Sequence, residues 1–154
     1  MKGKRKPFSY EVYKRCDAMA KAAVALHLTL SGYDVEVPPE NYGADLFHIH
    51  PLNADLKVFH EVEVSLGWGD VKFPYPTGSI PERKKRLLGL IDEPLFFWML
   101  NSLCNRAVVF SSAYIRDEFL VEVPNKIIHE GEYFYRPPLK YGRYIDPLLR
   151  GSNG

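Results

Sequence analysis

One segment restricts the possible folds of this chain more than any other, the run VFHEVEVSL at residues 58–66. Polar and apolar residues alternate along it, which is typical of a β-strand with two unlike faces. Because residues two apart share a face, Glu61 and Glu63 point one way, while Val62 and Val64 point the other. The valines indicate that the second face contacts the core. The first face therefore carries two neighbouring carboxylates.

The residues before this strand predict a long helix and two shorter strands. Apolar side chains recur at three- and four-residue steps as far as Gly32, which we expect to end the helix. The runs YDVEV (33–37) and ADLFHIH (44–50) alternate as strands do. The polar run PLNADLK (51–57) predicts the turn of an antiparallel hairpin. The apolar positions that define the helix are Val12, Met19, Ala20, Ala23, Val24 and Leu28.

The residues after the strand predict a long loop and then a basic helix. The run GWGDVKFPYPTGSIP (67–81) is rich in glycine and proline and is long for a connection, and long ordered loops often carry function. The run ERKKRLLGL (82–90) predicts a helix, with Pro81 near its first position, where a missing N–H does no harm. The core contacts expected from this helix are Leu87, Leu88 and Leu90.

The remaining segments complete an α/β (α+β) domain. The runs LFFWMLNS (95–102) and RAVVFSSA (106–113) predict two buried strands, and FLVEVPN (119–125) and GEYFYRPPL (131–139) predict two shorter ones. The order is helix, three strands, loop, helix and two strands. It predicts a central mixed β-sheet flanked by helices.

Length and composition indicate one soluble domain that covers residues 1–154. Within it we expect a flexible basic arm at 1–8 and a flexible tail at 148–154. Apolar residues make up 46% and charged residues 25% of the chain, as in ordinary globular proteins. The net charge of +1 does not point to a nucleic-acid partner, but a basic patch beside an acidic site would cancel in the sum.

The sequence shows no signal peptide, no membrane span and no CxxC pair, which argues against several classes of protein. The basic N-terminus lacks the apolar stretch of a signal peptide, and no apolar run reaches the roughly 18–20 residues of a membrane span. We therefore expect a cytoplasmic protein that contacts no membrane. Cys16 and Cys104 belong to no CxxC pair and show no zinc signature, so we expect two buried free thiols rather than a disulfide or a reactive site.

Three carboxylates are candidates for a metal site. If the hairpin forms, Asp45 lies near residues 61–65 of the second strand and close to Glu61 and Glu63. Oxygen ligands of this kind select hard cations such as Mg²⁺ or Mn²⁺. A cation there would lower the pKa of a bound water and stabilise charge on a phosphate. The alternative is a solvated face on which both glutamates have no function.

The order of these elements resembles the PD-(D/E)XK nuclease superfamily, which includes restriction-endonuclease-like enzymes. GAD stands at the start of the first hairpin strand, EVE lies in the second, and a basic helix follows. Over residues 9–135, the run HEVEVSLGWGD and then FPYPTGSIPERKKRLL and FFWMLN look like a group of phage and prokaryotic proteins of that superfamily. The resemblance implies a restriction-endonuclease-like core and a Mg²⁺-dependent (or Mn²⁺-dependent) enzyme that hydrolyses DNA.

The resemblance also implies roles for individual residues. Asp45 matches the first motif acid, and the second motif begins at either Glu61 or Glu63. Neither register ends in the usual lysine. In some relatives an equivalent lysine lies on the following helix, where Lys84 and Lys85 stand in this sequence. The implied site consists of Asp45, Glu61 and Glu63 as catalytic metal ligands, Lys84 as the catalytic lysine and Glu11 as a possible accessory acid.

Other residues are candidates for contacts with DNA. Trp68 stands between two glycines, and it either stacks on a base or folds back onto the core. The basic helix is either solvated or grips phosphates with its N-terminal turn, where the helix dipole favours anions. The expected DNA contacts are Trp68, Lys72, Arg83 and Lys85. We expect His48 and His50 to be satisfied strand histidines rather than metal ligands.

These observations leave three hypotheses. The leading one is a metal-dependent DNA endonuclease. The resemblance leaves a homodimer open as its oligomeric state, because many relatives dimerise to cut two strands. The second is a catalytically inactive nuclease fold that binds DNA or serves in assembly, because the motif lysine is missing. The third is a protein-interaction domain, whose contacts would not weaken steeply with salt as phosphate contacts do. A role in phage DNA processing or host defence is implied by the resemblance alone.

Overall fold

The computed structural model describes residues 10–38, 43–124 and 131–149. The predicted basic arm at 1–8 lies outside these ranges. The strands are β1 (Val35–Glu36), β2 (Leu46–His50), β3 (Asn53–Ser65), β4 (Ile80–Pro81), β5 (Leu95–Asn101), β6 (Ala107–Ser111), β7 (Leu120–Val123), β8 (Glu132–Tyr135) and β9 (Arg143–Ile145). The α-helices are α1 (Tyr10–Leu30) and α2 (Arg86–Leu90), and single 3₁₀ turns cover Glu82–Lys85, Ser112–Tyr114, Asp117–Phe119 and Leu139–Tyr141.

Helix α1 ends as the sequence predicts. Gly32 follows it with a φ of 94°, a left-handed conformation that glycine adopts without strain. The backbone N–H of Tyr33 donates to Leu28 at 3.0 Å, which satisfies a carbonyl of the last turn. Val12 and Met19 belong to the apolar pattern that predicts the helix, but both are about half exposed. The buried positions of the helix include Ala20, Ala23, Val24 and Leu28.

The predicted central mixed sheet is confirmed. Six strands lie in the order β1-β2-β3-β5-β6-β9, and every neighbouring pair is antiparallel except β3 and β5. The parallel register pairs Phe59 with Leu95 and continues to Ser65 with Asn101. Because parallel neighbours need a long crossover, residues 66–94 run from one end of the sheet to the other.

The β2–β3 hairpin forms, but its turn is shorter than the sequence predicts. Only Pro51 and Leu52 lie between the two strands, and β3 begins at Asn53. The expected turn at 51–57 is therefore wrong for residues 53–57. They remain extended because pairing with β2 continues across a register shift beside Ile49.

The two faces of the central sheet are covered by different layers. Helix α1 packs on one face, against a cluster that includes Leu46, Val62 and Trp98. The opposite face is covered by α2 and by a second, three-stranded sheet in the order β4-β8-β7. That second layer brings Leu87 and Tyr135 onto the core. The chain is therefore mixed α and β, with one layer made mainly of strands rather than of the predicted helices.

The basic segment at 82–90 is only partly α-helical. A 3₁₀ turn occupies Glu82–Lys85, and α2 contributes five residues after it. Leu87 is fully buried, whereas Leu90 is 64% exposed, so the predicted core contact of Leu90 is wrong.

The predicted flexible tail at 148–154 begins too early. Leu148 is fully buried, and its N–H donates to the carbonyl of Asn105 at 2.8 Å. Residues 150–154 lie outside the described ranges. Cys16 and Cys104 are free thiols, as predicted, but only Cys104 is buried, and Cys16 is half-buried. None of the described helices is long and apolar enough to cross a membrane.

Candidate active site

The backbone of the hairpin fixes the carboxylate of Asp45. Its N–H donates to the carbonyl of His60 at 3.1 Å, which continues the pairing one residue before β2. Its Oδ2 accepts the N–H of Val62 at 2.7 Å. Asp45 therefore lies beside the middle of β3, as the hairpin prediction requires.

Glu61 and Glu63 lie on one face of β3, but this face is covered by protein. Glu61 is only 4% exposed, and Glu63 is half-buried. They line a small closed space together with Ser79, Pro81 and Lys84. A fully solvated pair of glutamates is therefore excluded by the burial of Glu61.

Lys84 is the basic residue that contacts both glutamates. Its Nζ bonds to Oε1 of Glu61 and lies 2.9 Å from Oε1 of Glu63. The 3₁₀ turn positions it, and its side chain is 11% exposed. Lys85 turns away and lies 3.6 Å from Asp117 on the surface. Of the two lysines that the sequence offers, the structure places Lys84 at the acids.

A second lysine, which the sequence analysis missed, contacts Asp45. Nζ of Lys21 lies 3.1 Å from Oδ1 of Asp45 and 2.8 Å from Oδ2 of Asp17. Although burial works against its charge, the two carboxylates raise the pKa of Lys21 above its usual value. The spacing of Asp17 and Lys21, one helical turn apart, is visible in the sequence. Their approach to Asp45 depends on how α1 packs, which the sequence does not show.

The surroundings of Glu61 favour the protonated form of its carboxyl group. Burial, and then the nearby charge of Asp45, raise the pKa of Glu61 to about 7, against the opposing effect of Lys84. The pKa of Lys84 is also raised, because Glu61 and Glu63 outweigh the cost of its burial. Oε2 of Glu61 is buried and has no hydrogen-bond partner. The three carboxylates therefore carry more negative charge than Lys84 alone neutralises.

The predicted three-carboxylate metal site is only partly assembled. Within residues 10–38, 43–124 and 131–149, no group of three His, Cys, Asp or Glu side chains is close enough to hold a metal ion. Glu63 is held by Lys84, and Arg83 lies 3.8 Å from it. Glu11 is exposed in the first turn of α1, and no contact between it and the acids is present in the described structure.

The expected DNA contacts differ in how far they are exposed. Trp68 is fully buried, its Nε1–H donates to Val71 at 2.7 Å, and its ring packs edge-on to Phe73. The prediction that Trp68 contacts nucleic acid is therefore wrong, and its alternative, a core position, holds. Lys72 and Lys85 are exposed, and the side chain of Arg83 is 69% exposed.

Comparison with family models, with curated proteins and with solved structures found no match for this chain.

Proposed function

We propose that the chain is a metal-dependent nuclease of the PD-(D/E)XK type, which hydrolyses phosphodiester bonds in DNA. The observation that carries this proposal is the position of Lys84. Strand β3 lacks the lysine that the motif requires, and Lys84 brings an ammonium group to Glu61 and Glu63 from the segment that follows. Some members of the superfamily that this chain resembles also supply the lysine from the helix after the motif strand.

The topology also supports the proposal. Helix α1 is followed by the antiparallel strands β1, β2 and β3, then by a crossover, and then by β5 parallel to β3. That order fits the core that the resemblance implies. The second sheet, β4-β8-β7, adds a layer beside the acids.

The donor atoms fit a hard cation held by two carboxylates. Asp45 and Glu61 are close enough for the charge of one to raise the pKa of the other, and Oε2 of Glu61 lacks a partner. Mg²⁺ keeps several waters and is commonly held by one or two carboxylates, so a third ligand is not required. Asp45 and Glu61 would therefore hold the ion, with Glu63 bound to Lys84 beside them. When bound, the ion would supply an acidified water and neutralise charge on the phosphate.

The residues of the chain have distinct roles in this proposal. Lys84 keeps its proton because of Glu61 and Glu63, so it offers a positive charge where the phosphate gains negative charge. Lys21 and the N–H of Val62 hold the Asp45 carboxylate in one orientation. Arg83 extends from the same 3₁₀ turn, lies 3.8 Å from Glu63 and is 69% exposed, so its guanidinium group would reach a backbone phosphate beside the acids.

A second candidate is a catalytically inactive nuclease fold that binds DNA or serves in assembly. It is favoured by one observation, that lysines already occupy the carboxylates. Lys84 contacts Glu61 and Glu63, and Lys21 contacts Asp45. A site neutralised in this way holds together without a metal ion.

Cleavage of labelled DNA separates the two candidates. Duplex, single-stranded, flap and four-way-junction substrates are incubated with Mg²⁺, Mn²⁺ or EDTA. An active nuclease cuts at least one substrate with metal, and Asp45→Asn abolishes the cutting while DNA binding persists. Asp55→Asn is the matched control, because Asp55 lies in the same hairpin, on β3, and is exposed. Cutting by Asp45→Asn at the wild-type rate would overturn the assigned site.

Thermal unfolding gives a second readout that does not depend on activity. An ion that binds only the folded state raises the unfolding temperature. We expect Mg²⁺ to stabilise the wild type and Asp55→Asn, but not Asp45→Asn. No cleavage, no stabilisation by metal and salt-sensitive DNA binding would together favour the inactive module.

A further inference from the structure

A separate cleft lies on the α1 face of the central sheet, away from Glu61 and Glu63. Strands β2, β3, β5 and β6 form its floor, and the end of α1 and strand β9 form its walls. Its volume is about 440 Å³, within the range of about 300–1,000 Å³ that is usual for small-molecule sites. We name it the histidine cleft, because its lining includes His27, His48, His50 and His60.

A chain of hydrogen bonds fixes the protons on two of these histidines. Nε1–H of Trp98, which can only donate, lies 2.9 Å from Nδ1 of His60. His60 therefore carries its proton on Nε2, and that N–H donates to Nδ1 of His48 at 2.8 Å. His48 in turn carries its proton on Nε2. No described residue accepts a hydrogen bond from this N–H, so it remains as a donor at the cleft.

The hydrogen bonds and the burial of both rings favour their neutral forms. Only 3% of His60 and 7% of His48 are exposed. A protonated His48 would also set its Nδ1–H against the N–H of His60. The cleft therefore presents an oriented neutral donor, rather than a positive charge, at His48.

The rings beside this donor are planar and nearly parallel. Tyr33 stacks on His48 with ring centroids 4.3 Å apart, and His48 stacks on His60 at 5.0 Å. Phe96 continues the series at 6.0 Å from His60. Aromatic walls of this kind favour a flat ring as ligand, since every flat ring offers a face for stacking.

The charge of the lining favours an anion. Arg143 lies on the wall formed by β9, and it has no ion-pair partner among the described residues. None of the described residues that line the cleft is an aspartate or a glutamate. A guanidinium group binds phosphate or carboxylate well, because its N–H groups match the spacing of the anion's oxygens.

We propose that the histidine cleft binds a planar aromatic anion of the nucleoside monophosphate class. Its ring packs beside Tyr33 and accepts the N–H of His48, and its phosphate pairs with Arg143. This proposal does not depend on the nuclease function, because the cleft lies on the opposite face of the sheet from the acids.

Calorimetric titration with AMP, adenosine and inorganic phosphate tests the proposal. We expect AMP to bind more tightly than either fragment. His48→Phe keeps a planar ring and removes the donor, and Arg143→Gln removes the charge. Arg143→Gln is expected to weaken AMP binding by at least about ten-fold, since hydrogen bonds to charged groups are worth this much. His48→Phe is expected to weaken it by roughly two- to ten-fold, since it removes a hydrogen bond between neutral groups. Arg116→Gln, a change of the same chemistry on the exposed surface, is expected to bind as the wild type does.

Circular dichroism and sedimentation complete the experiment. Far-ultraviolet spectra show that each variant is folded, so weaker binding is not a folding defect. The proposal is overturned if AMP does not bind, or if His48→Phe and Arg143→Gln both bind it as tightly as the wild type. A dimer that Arg143→Glu dissociates, with no AMP binding, would identify the cleft as an interface between two copies and would also overturn it.

Discussion

The carboxylate of Asp45 accepts the backbone N–H of Val62 at 2.7 Å. Through this bond, Asp45 also completes the hydrogen bonding of the strand that carries Glu61 and Glu63. A change at Asp45 therefore affects both the chemistry of the site and the stability of the fold. The two effects can be separated by the choice of substitution.

We expect Asp45→Ala to lower the free energy of unfolding by about 1–3 kcal/mol, because it leaves the half-buried N–H of Val62 without an acceptor. Asp45→Asn places an amide oxygen where the carboxylate oxygen was, so it is expected to lower the free energy of unfolding by less. Urea unfolding at pH 7 measures both, and Asp55→Ala is the exposed control. Equal losses in the alanine and asparagine variants would show that the bond to Val62 contributes little.

Replacement of Glu61 by glutamine is expected to change how stability depends on pH. In the folded protein, the pKa of Glu61 is raised from 4.5 to about 7. Between those values the folded state binds more protons than the unfolded state. The stability from this group is complete below pH 4.5 and is lost as the pH rises through 7.

The free energy of unfolding of the wild type should therefore fall relative to Glu61→Gln across this interval, by up to about 3 kcal/mol. Unfolding in urea at a series of pH values, with EDTA present, gives the difference curve. Glu36→Gln, on the exposed edge strand, is the control. Parallel curves for Glu61→Gln and wild type would show that the pKa of Glu61 is not raised.

Lys84→Met and Lys85→Met form a matched pair of substitutions. Lys84→Met removes the cation between two partly or fully buried carboxylates, which costs about 3–5 kcal/mol near pH 8. The cost should shrink toward pH 5, because Glu61 then becomes protonated. Lys85→Met should leave stability nearly unchanged, since that side chain is exposed. If the protein is a nuclease, cleavage is lost in the first variant and kept in the second.

Binding of DNA should depend on salt through Arg83 rather than through Trp68. Loss of one phosphate contact in Arg83→Gln is expected to reduce the slope of log K against log salt by about 1. Trp68→Phe should leave both affinity and slope unchanged. It should lower the free energy of unfolding by about 1–3 kcal/mol, because it shortens a buried ring and removes the bond to Val71. Fluorescence anisotropy with labelled duplex at several salt concentrations measures the affinities.

The parts of the fold that follow local patterns could be predicted from the sequence. Helix α1, its end at Gly32, the β2–β3 hairpin and the strands β5 and β6 all follow from apolar periodicity and from glycine. The register of the hairpin also placed Asp45 beside β3. These features depend on residues that are neighbours in the chain or lie across one tight turn.

Features that depend on long-range packing could not be predicted. The burial of Glu61 requires the second sheet, whose strands lie far apart in sequence. Trp68 stands between two glycines, as a loop residue would, and only the packed Phe73 shows that it belongs to the core. The salt bridge from Lys21 to Asp45 depends on the position of α1 against the sheet. The choice of Lys84 as the catalytic lysine rested on the resemblance alone, and it is the 3₁₀ turn that directs Lys84 to the acids and Lys85 to Asp117.

The crossover between β3 and β5 has a consequence for how the site forms. Residues 66–94 carry Lys84 and form the loop between β3 and β5. This loop closes only when β3 and β5 pair in the parallel register that begins with Phe59 and Leu95. The entropy of closing such a long loop is lost before its contacts form. Until that step, Glu61 faces water and keeps an ordinary acidity. The contact of Lys84 with Glu61 and Glu63 therefore depends on the pairing of β3 with β5, and a chain that lacks this pairing has the acids without their lysine.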